Sequence, residues 1–391
     1  MIGRKQIVIL GCLLMIGLAG LCGCGSPSSD SMERVGTEAD HAADVPGGLT
    51  YESSMELQYA KNFSVDDYEG GYKILKTMDG TQILVVPEEK EVPDGIGKDV
   101  VVVKQPVKNL YVVSSSIMDI FSKLDAMDTI RLSSQKEEDW YVQDAKDAME
   151  RGDILYAGKY SKPDYELIVS ENCSLAIENT MITHSPEVSE MLADFDIPTM
   201  IEYSSYESHP LGRVEWVKFF GALIGKDELA KKIFNEEVRL VEEVTSVEET
   251  DKTVAFFYVT SNGLIQVRSS SDYVPKMINL AGGNYIPTNI GDPDSKRSTV
   301  SMQIEDFYDQ AKDADFIIYN SSIDGGIGSV QELLDKCAVL KDFKAVKEGN
   351  VWCTTNDMYQ QSMSIGYLIH DMHAMLQGKD QDDMTYLFHV E

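Results

Sequence analysis

The sequence has few positively charged residues. Its 391 residues contain 34 lysine and arginine residues against 65 aspartate and glutamate residues, which gives a formal net charge of −31 at pH 7. Binding to nucleic acid needs a basic surface, so this deficit excludes nucleic acid as a partner. The same charge keeps the folded body away from an anionic membrane surface. Any attachment to a membrane must therefore come from another feature of the chain.

Cysteine is also scarce. Of the six cysteines, only Cys173, Cys337 and Cys353 lie beyond residue 24. These three are scattered and contain no Cys-x-x-Cys pair, which fits neither a disulfide framework nor a tetrathiolate zinc site. We interpret them as small apolar side chains, and the sequence leaves open whether one pair is bridged.

The motifs of common hydrolases and nucleotide-binding enzymes are missing as well. The serine-rich pieces at Ser114 and Ser269 lack the Gly-x-Ser-x-Gly pattern of a nucleophile elbow. The glycine-rich stretch from Asp324 to Ser329 lacks the Gly-Lys-[Ser/Thr] ending of a phosphate-binding loop and predicts a turn. We predict that the chain is not an enzyme, with a secreted α/β hydrolase kept as an alternative.

One long apolar run is present, and it lies at the start of the chain. Arg4 and Lys5 precede the run from Ile7 to Leu21, which is too short to span a bilayer and suits a secretory signal peptide. The ending Leu-Cys-Gly-Cys24 resembles a bacterial lipobox. We therefore predict a signal peptide over residues 1–23, a lipid on Cys24, and anchoring at the extracytoplasmic face of the cell membrane.

Composition and pattern divide the remaining chain into four parts. Residues 24–50 are rich in Gly, Ser, Asp and Glu, and predict a lipidated flexible tether. Residues 51–224 predict an N-terminal α/β lobe with a leading β segment. Residues 225–247 contain apolar positions at helical spacing and predict a connecting helix. Residues 248–391 predict a C-terminal α/β lobe.

The two lobes are predicted from alternating elements. Apolar stretches, most of them continuous, mark strand candidates in both lobes: Leu110–Val113, Ile130–Leu132, Ile154–Tyr156, Leu175–Ile177, Pro198–Ile201, Val254–Val259, Ile265–Val267, Phe316–Tyr319 and Val351–Cys353. Amphipathic helical stretches lie between most of them. Strands that alternate with helices favour mainly parallel sheets. The expected fold class is α/β, with two Rossmann-like lobes, a single long helix joining them, and a ligand cleft between the lobes.

Seven short segments carry a resemblance to a known family. They occur in order at Asn109–Val113, Lys162–Glu166, Ala176–Asn179, Gly221–Ala230, Met277–Gly283, Ser301–Glu305 and Asp315–Ile318. Together they resemble the substrate-binding proteins of ABC importers for ferric siderophores, haem and vitamin B12. The resemblance covers residues 79–376. Residues 51–104 depart from it, since they are longer than the family's usual lead-in.

The resemblance implies a function and partners. The protein is expected to capture an iron-siderophore, haem or corrinoid such as cobalamin and to deliver it to a dimeric ABC permease with ATPase subunits. It implies that Glu166 and Glu305 dock into arginine pockets of the permease. No cofactor is expected apart from the lipid on Cys24, and the protein is expected to be a monomer.

Candidate ligand-binding residues follow from the fold, because open α/β sheets bind ligands beyond the carboxyl ends of their strands. They are Ser115, Tyr160, Met181 and Tyr206 in the first lobe and Arg268, Tyr273, Asn320 and Tyr359 in the second. Their side chains suit a large ligand with carboxylate, catecholate or macrocycle surfaces. Arg268 is the first choice because it follows a strand and begins a serine-rich loop. We predict no direct metal ligands, since the six histidines are scattered. A surface zinc- or manganese-binding lipoprotein is the remaining alternative.

Overall fold

The computed structural model describes residues 46–246, 250–292, 297–379 and 381–391, which belong to one compact unit. The predicted signal peptide, Cys24 and most of the predicted tether lie outside these ranges. Within them, no helix combines the length and apolar character needed to cross a membrane.

The leading segment forms a five-stranded sheet with its strands in chain order: β1 (Tyr51–Ser54), β2 (Phe63–Tyr68), β3 (Tyr72–Thr77), β4 (Gln82–Val86) and β5 (Val100–Lys104). Neighbouring strands are antiparallel except β4 and β5, which are parallel. Neighbouring side chains of β3 lie on opposite faces of the sheet. Ile74 packs in a small local cluster on one face, whereas Leu75 packs in the main hydrophobic core on the other. The β segment predicted here is therefore a sheet with one face that must be buried against another element.

That element is the helix α5 (Pro210–Ile224). The ring of Phe63 lies 4.9 Å from the Trp216 ring and 5.4 Å from the Phe219 ring, measured between centroids. Two buried glutamates fix the chain between β1 and β2 as well. We call this the clamp: the carboxylates of Glu207 and Glu215 accept hydrogen bonds from the backbone N–H groups of residues 58–62.

The first lobe is built on a five-stranded sheet in the order β12-β11-β6-β7-β8, in which every neighbouring pair is parallel. Its strands are β6 (Leu110–Val112), β7 (Ile130–Ser133), β8 (Leu155–Tyr156), β11 (Leu175–Glu178) and β12 (Thr199–Ile201), and β9 (Gly158–Lys159) pairs with β10 (Lys162–Pro163) beside it. Its helices are α1 (Ser115–Lys123), α2 (Gln143–Glu150), α3 (Tyr165–Ser170) and α4 (Pro186–Asp194). Burial of both sheet faces explains the continuously apolar strands.

Two helices lead from the first lobe to the second. Helix α5 is followed by Gly225 in a left-handed conformation and then by α6 (Asp227–Thr245), which precedes the first strand of the second lobe. The connecting helix predicted over residues 225–247 contains α6 with two residues to spare at each end. Gly221 lets α5 approach α6 closely, because a Cβ at this position would overlap Ala230. Gly366 does the same for the last helix, where a Cβ would lie 2.8 Å from a carboxylate oxygen of Glu237 on α6.

The second lobe has a mixed sheet in the order β16-β14-β13-β17-β18-β19, with β15 also paired to β13. Its strands are β13 (Thr253–Val259), β14 (Ile265–Arg268), β15 (Asn284–Ile286), β16 (Thr299–Met302), β17 (Phe316–Tyr319), β18 (Val351–Thr354) and β19 (Leu387–His389). Strands β15, β13, β17 and β18 pair in parallel, whereas β14, β16 and β19 join antiparallel. Its helices are α7 (Tyr273–Leu280), α8 (Ile304–Ala311), α9 (Val330–Lys336), α10 (Lys344–Glu348) and α11 (Ile365–Leu376).

The α/β fold class with mainly parallel sheets is confirmed. The main hydrophobic core is continuous through the leading sheet, α5, α6 and both lobes. The three cysteines beyond residue 24 are free thiols, with Cys353 buried and Cys173 and Cys337 half-buried. The glycine-rich stretch from Asp324 to Ser329 is a turn and loop before α9, as predicted.

Candidate functional site

A cleft with a volume of about 1210 Å³ lies between the two lobes. The first lobe lines it with Thr180, Met181, Thr183, His184, Ser205 and Tyr206, and the second lobe with Gln266, Gly291, Asp292, Arg297, Ser298, Thr299, Val300 and Ser301. The first-lobe residues follow β11 and β12, at the carboxyl ends of parallel strands where ligands are expected. The second-lobe wall instead comes from the antiparallel pair β14 and β16 and the loop before β16.

The first-lobe wall is held in place by its own hydrogen bonds. The Asn179 Oδ1 accepts the backbone N–H of Met181 at 2.9 Å, which caps the short 3₁₀ helix of residues 180–184. The Thr183 hydroxyl donates to the carbonyl oxygen of Thr180 at 2.8 Å. The Met181 side chain is 45% exposed. The wall is therefore preorganised, with an apolar thioether beside several hydroxyl groups.

Two of the eight predicted ligand-binding residues, Met181 and Tyr206, line this cleft. Ser115 is the first residue of α1, and Tyr160 lies half-buried in the turn between β9 and β10. Neither Ser115 nor Tyr160 is among the residues that line the cleft described above. Their roles in ligand binding stay predictions.

The other four predicted residues come together in one buried network of the second lobe. The Arg268 guanidinium donates to both carboxylate oxygens of Asp272 at 2.8 and 2.7 Å and to the Tyr359 hydroxyl at 3.2 Å. The Asn320 amide donates to the same hydroxyl at 2.9 Å. Tyr273 is buried beside them, and burial raises the pKa of its hydroxyl. Internal partners thus compensate the charge of Arg268, as a buried guanidinium requires.

The network also reaches the first lobe through α5. The Arg213 guanidinium lies 4.0 Å from the centre of the Tyr273 ring, a cation–π distance. Arg213, Tyr273 and Tyr359 line a small internal cavity of about 20 Å³, which is room for about one water molecule. The network thus contributes contacts to the interface between the lobes. Its four predicted ligand-binding residues lie beneath the surface and do not line the cleft.

Direct hydrogen bonds close another part of the interface between the lobes. We call this set the latch: Ser116 and Asp119 of α1 and Glu237 of α6 accept bonds from residues 362–366, and Gln360 reaches the loop before α2. The Met363 N–H donates to Asp119 at 2.8 Å, and the Gly366 N–H donates to Glu237 at 2.8 Å. The Ser362 hydroxyl donates to the Ser116 carbonyl. The lobes are therefore pinned together here, whereas the cleft remains open.

The Gln360 side chain extends the latch. Its Oε1 accepts the Tyr141 N–H at 2.8 Å, and its Nε2 donates to the Asp139 carbonyl at 2.8 Å. Both partners lie in the first lobe, between β7 and α2. One side chain thus makes two bonds across the interface.

Sequence reasoning missed an unusual carboxyl group directly before the cleft wall. Glu178 ends β11, is fully buried, and has no hydrogen-bond partner for either carboxyl oxygen, and the nearby Tyr111 hydroxyl has none either. Burial raises the pKa of Glu178 to about 8, so the carboxyl group is mainly protonated at neutral pH. The signal in the sequence was a single acidic residue, Glu178, directly after the apolar residues 175–177 of a predicted buried strand.

The two glutamates expected to dock are exposed at comparable positions. Glu166 lies in the first turn of α3 and Glu305 in the first turn of α8. The Asp164 side chain caps α3 by accepting the Leu167 N–H at 3.0 Å. Neither glutamate forms a salt bridge within the described ranges, so both carboxylates are available to solvent.

The described part of the chain contains no group of three or more His, Cys, Asp and Glu side chains arranged to hold a metal ion. His184 is the one histidine in the described lining of the cleft. His209 instead caps α5, where its Nδ1 accepts the Leu211 N–H at 3.2 Å.

Comparisons of sequence place the chain beside lipoproteins. No family model matches the chain. One uncharacterized lipoprotein of Methanocaldococcus jannaschii is 23% identical over 376 residues, covering 91% of this chain and 89% of that protein. A second uncharacterized lipoprotein of the same organism is 24% identical over 406 aligned positions, covering 99% of this chain and all of that protein.

Comparisons of structure identify the fold. An ABC transporter substrate-binding protein from Listeria monocytogenes matches with a TM-score of 0.52 and 17% identity, covering 69% of this chain and 98% of that one. The periplasmic haem-binding protein HutB of Vibrio cholerae matches with a TM-score of 0.55 and 13% identity, covering 67% and 97%. A possible iron-binding protein from Staphylococcus epidermidis matches with a TM-score of 0.53 and 16% identity, covering 70% and 99%. The chain therefore has the fold of the ABC-transporter substrate-binding proteins, and its sequence is similar to those of lipoproteins along most of its length.

Proposed function

We propose that this protein is the extracytoplasmic substrate-binding lipoprotein of an ABC importer, and that it captures an iron chelate in the cleft between its lobes. The observation that carries the proposal is the open cleft of about 1210 Å³ between two α/β lobes of this fold. The structural neighbours are solute-binding proteins, which supports a binding role rather than an enzymatic one.

The chemistry of the cleft favours a polar chelate among the three expected ligand classes. Its described lining contains seven hydroxyl side chains (Thr180, Thr183, Ser205, Tyr206, Ser298, Thr299 and Ser301) and two aromatic rings, those of His184 and Tyr206. A flat macrocycle such as haem or a corrinoid needs broad apolar walls, which aromatic and aliphatic side chains supply. Hydroxyl groups instead suit the oxygen-rich surface of a ferric siderophore.

Delivery to a permease would use the two exposed glutamates. Glu166 and Glu305 occupy the first turns of α3 and α8, one in each lobe. A carboxylate on each lobe could pair with arginines of a membrane partner through bidentate hydrogen bonds. Reversing both charges, with Glu166→Lys and Glu305→Lys, is expected to abolish uptake while leaving ligand binding by the purified protein unchanged. Uptake at the wild-type rate would contradict this role.

Anchoring would come from the lipid on Cys24. The related lipoproteins of Methanocaldococcus jannaschii support this assignment. A tethered binding protein stays at a high effective concentration near its permease, so that weak docking is sufficient. Metabolic labelling with a radioactive fatty acid tests the anchor: label is expected on the wild-type chain and not on the Cys24→Ala variant.

The ligand class is tested by adding ferric siderophores, haem and cobalamin separately to the purified protein. We expect one-to-one complexes with a ferric siderophore in native mass spectrometry and a ferric charge-transfer band in the absorbance spectrum. The Ser301→Trp variant fills the cleft and should lose binding, whereas Ser53→Trp on the exposed strand β1 should retain it. A Soret band or a corrin spectrum would identify a different ligand class. Binding of bare zinc or manganese alone would favour the alternative function.

A further inference from the structure

A second cavity bridges the two lobes, and the leading segment builds one of its walls. Its volume is about 560 Å³. One wall consists of Gln58, Tyr59, Lys61, Ser208 and His209, and the other of Ser270, Ser271, Asp272, Pro275, Lys276 and Asn279. None of these residues lines the cleft described above. The cavity is therefore a separate site, formed in part by the region that departs from the resemblance.

The wall from the leading segment is rigid, because the clamp holds its backbone. Glu215 accepts the N–H groups of Gln58 and Tyr59 at 2.9 and 2.8 Å, and Glu207 accepts the Lys61 N–H at 3.0 Å. The charge of Glu215 is balanced by Lys218 at 2.7 Å. The ammonium group of Lys61 is thus not needed to balance the charge of Glu215.

His209 contributes a donor of defined direction. Its ring stacks on the Tyr59 ring with centroids 4.5 Å apart. Because its Nδ1 accepts the Leu211 N–H, the proton of the neutral ring lies on Nε2. Burial, together with the positive charges of Lys276 and Lys61, lowers the pKa of His209 to about 4.

Two lysines give this cavity a local positive charge. Neither Lys61 nor Lys276 forms a salt bridge in the part of the chain that the structure describes. The carboxylate in the lining is that of Asp272, and both of its oxygens accept hydrogen bonds from Arg268 at 2.8 and 2.7 Å. Two uncompensated ammonium groups and a neutral imidazole donor thus face one cavity in a chain of net charge −31.

We propose that this cavity binds a small multivalent anion, a polycarboxylate or a phosphate. Lys61 and Lys276 would supply charge-assisted hydrogen bonds, and His209 would donate through Nε2. The hydroxyl groups of Ser270 and Ser271 line the same cavity and add further donors. Since Lys61 comes from the leading segment and Lys276 from α7, the bound anion ties the first lobe to the second. This proposal is independent of which ligand occupies the cleft.

The test is isothermal titration of the full chain with citrate and, separately, with inorganic phosphate, at constant ionic strength set by sodium chloride. We expect saturable binding of at least one of the two anions at one site per chain. Lys276→Glu and Lys61→Glu should each lower the affinity at least tenfold. The matched variant Lys341→Glu changes the net charge equally at an exposed position outside the cavity and should bind as the wild type does.

Two outcomes would overturn the proposal. One is the absence of saturable binding for both anions, and the other is an equal loss of affinity in Lys276→Glu and Lys341→Glu, which would indicate diffuse charge effects. Circular dichroism melting without anion verifies that each variant is folded. If Lys276→Glu does not fold, Lys276→Met removes the ammonium group without adding a negative charge and takes its place in the comparison.

Discussion

The clamp and the latch use the same chemical device in two different ways. In both, a buried carboxylate accepts backbone N–H groups from a distant segment. Glu215 of the clamp accepts three backbone N–H groups and also pairs with Lys218. Asp119 and Glu237 of the latch accept one backbone N–H group each and form no salt bridge in the described ranges. Glu215 of the clamp thus has an ion-pair partner, whereas Asp119 and Glu237 of the latch have none in the described ranges.

This difference matches the elements that each device joins. The clamp attaches the leading segment to α5, so that the leading sheet and the first lobe share one core. The latch pins the two lobes to each other beside a cleft that remains open. Removing one partner of a buried ion pair leaves an uncompensated charge, so Glu215 of the clamp should be costlier to remove than a single carboxylate of the latch. The following predictions test this contrast.

Removing the Glu215 carboxylate is expected to have the largest effect. Glu215→Ala leaves three N–H groups and the Lys218 ammonium without their acceptor in a buried site. The expected loss is about 3–5 kcal/mol in the free energy of unfolding. Urea denaturation measures it, with Glu52→Ala on the exposed side of β1 as the control, which should change stability by less than about 0.5 kcal/mol. A loss below about 1 kcal/mol for Glu215→Ala would contradict the clamp.

The latch should make stability depend on pH. Burial raises the pKa of Asp119 to about 6 and that of Glu237 to about 7. In the unfolded chain the same groups titrate near 4, so the folded state binds more protons between these values. The stability that the protonated groups contribute is present at low pH and is lost as the pH rises through about 6 and 7.

This pH dependence is measured against a variant that cannot titrate. Between pH 4 and pH 8 the free energy of unfolding of the wild type should fall more steeply than that of Asp119→Asn/Glu237→Gln. Other shifted groups, including Glu178, are present in both proteins and cancel in the difference. Parallel pH profiles for the two proteins would show that the latch carboxyl groups do not titrate as described.

A single substitution in the latch should cost less than one in the clamp. Asp119→Ala removes the acceptor of the Met363 N–H and is expected to lower the free energy of unfolding by about 1–2 kcal/mol. Asp119→Asn retains an oxygen acceptor and should lose less. Denaturation curves of the two variants give the comparison. A loss for Asp119→Ala as large as that for Glu215→Ala would remove the distinction between latch and clamp.

Local patterns in the sequence predicted much of the fold. Most of the buried parallel strands are mainly apolar stretches, and the bounds predicted for β17 (Phe316–Tyr319) agree with the structure. The strands β15, β16 and β19 were not predicted. They are short and carry polar residues, and their pairing with distant strands gives no local signal.

The candidate site was harder to predict, because it depends on contacts between distant residues. Met181 and Tyr206 follow parallel strands and were found by that rule. Gln266 and Thr299 were missed because they come from an antiparallel pair, to which the rule does not apply. The clamp joins residues 145 to 157 positions apart, and no spacing in the sequence reveals such a pair. For Arg268, the sequence shows Asp272 nearby but not the burial that pairs the two.

The smallest expected effect is at Gln360, where the latch reaches the surface. Gln360→Ala removes two hydrogen bonds to the Asp139 carbonyl and the Tyr141 N–H. Because these bonds are exposed to water, we expect a loss of about 1 kcal/mol or less. The local effect should be clearer than the global one: hydrogen exchange of the Tyr141 amide should become about fivefold faster. Gln377→Ala, at an exposed position after α11, should leave this rate unchanged. An unchanged rate in Gln360→Ala as well would mean that Gln360 does not hold the lobes together in solution.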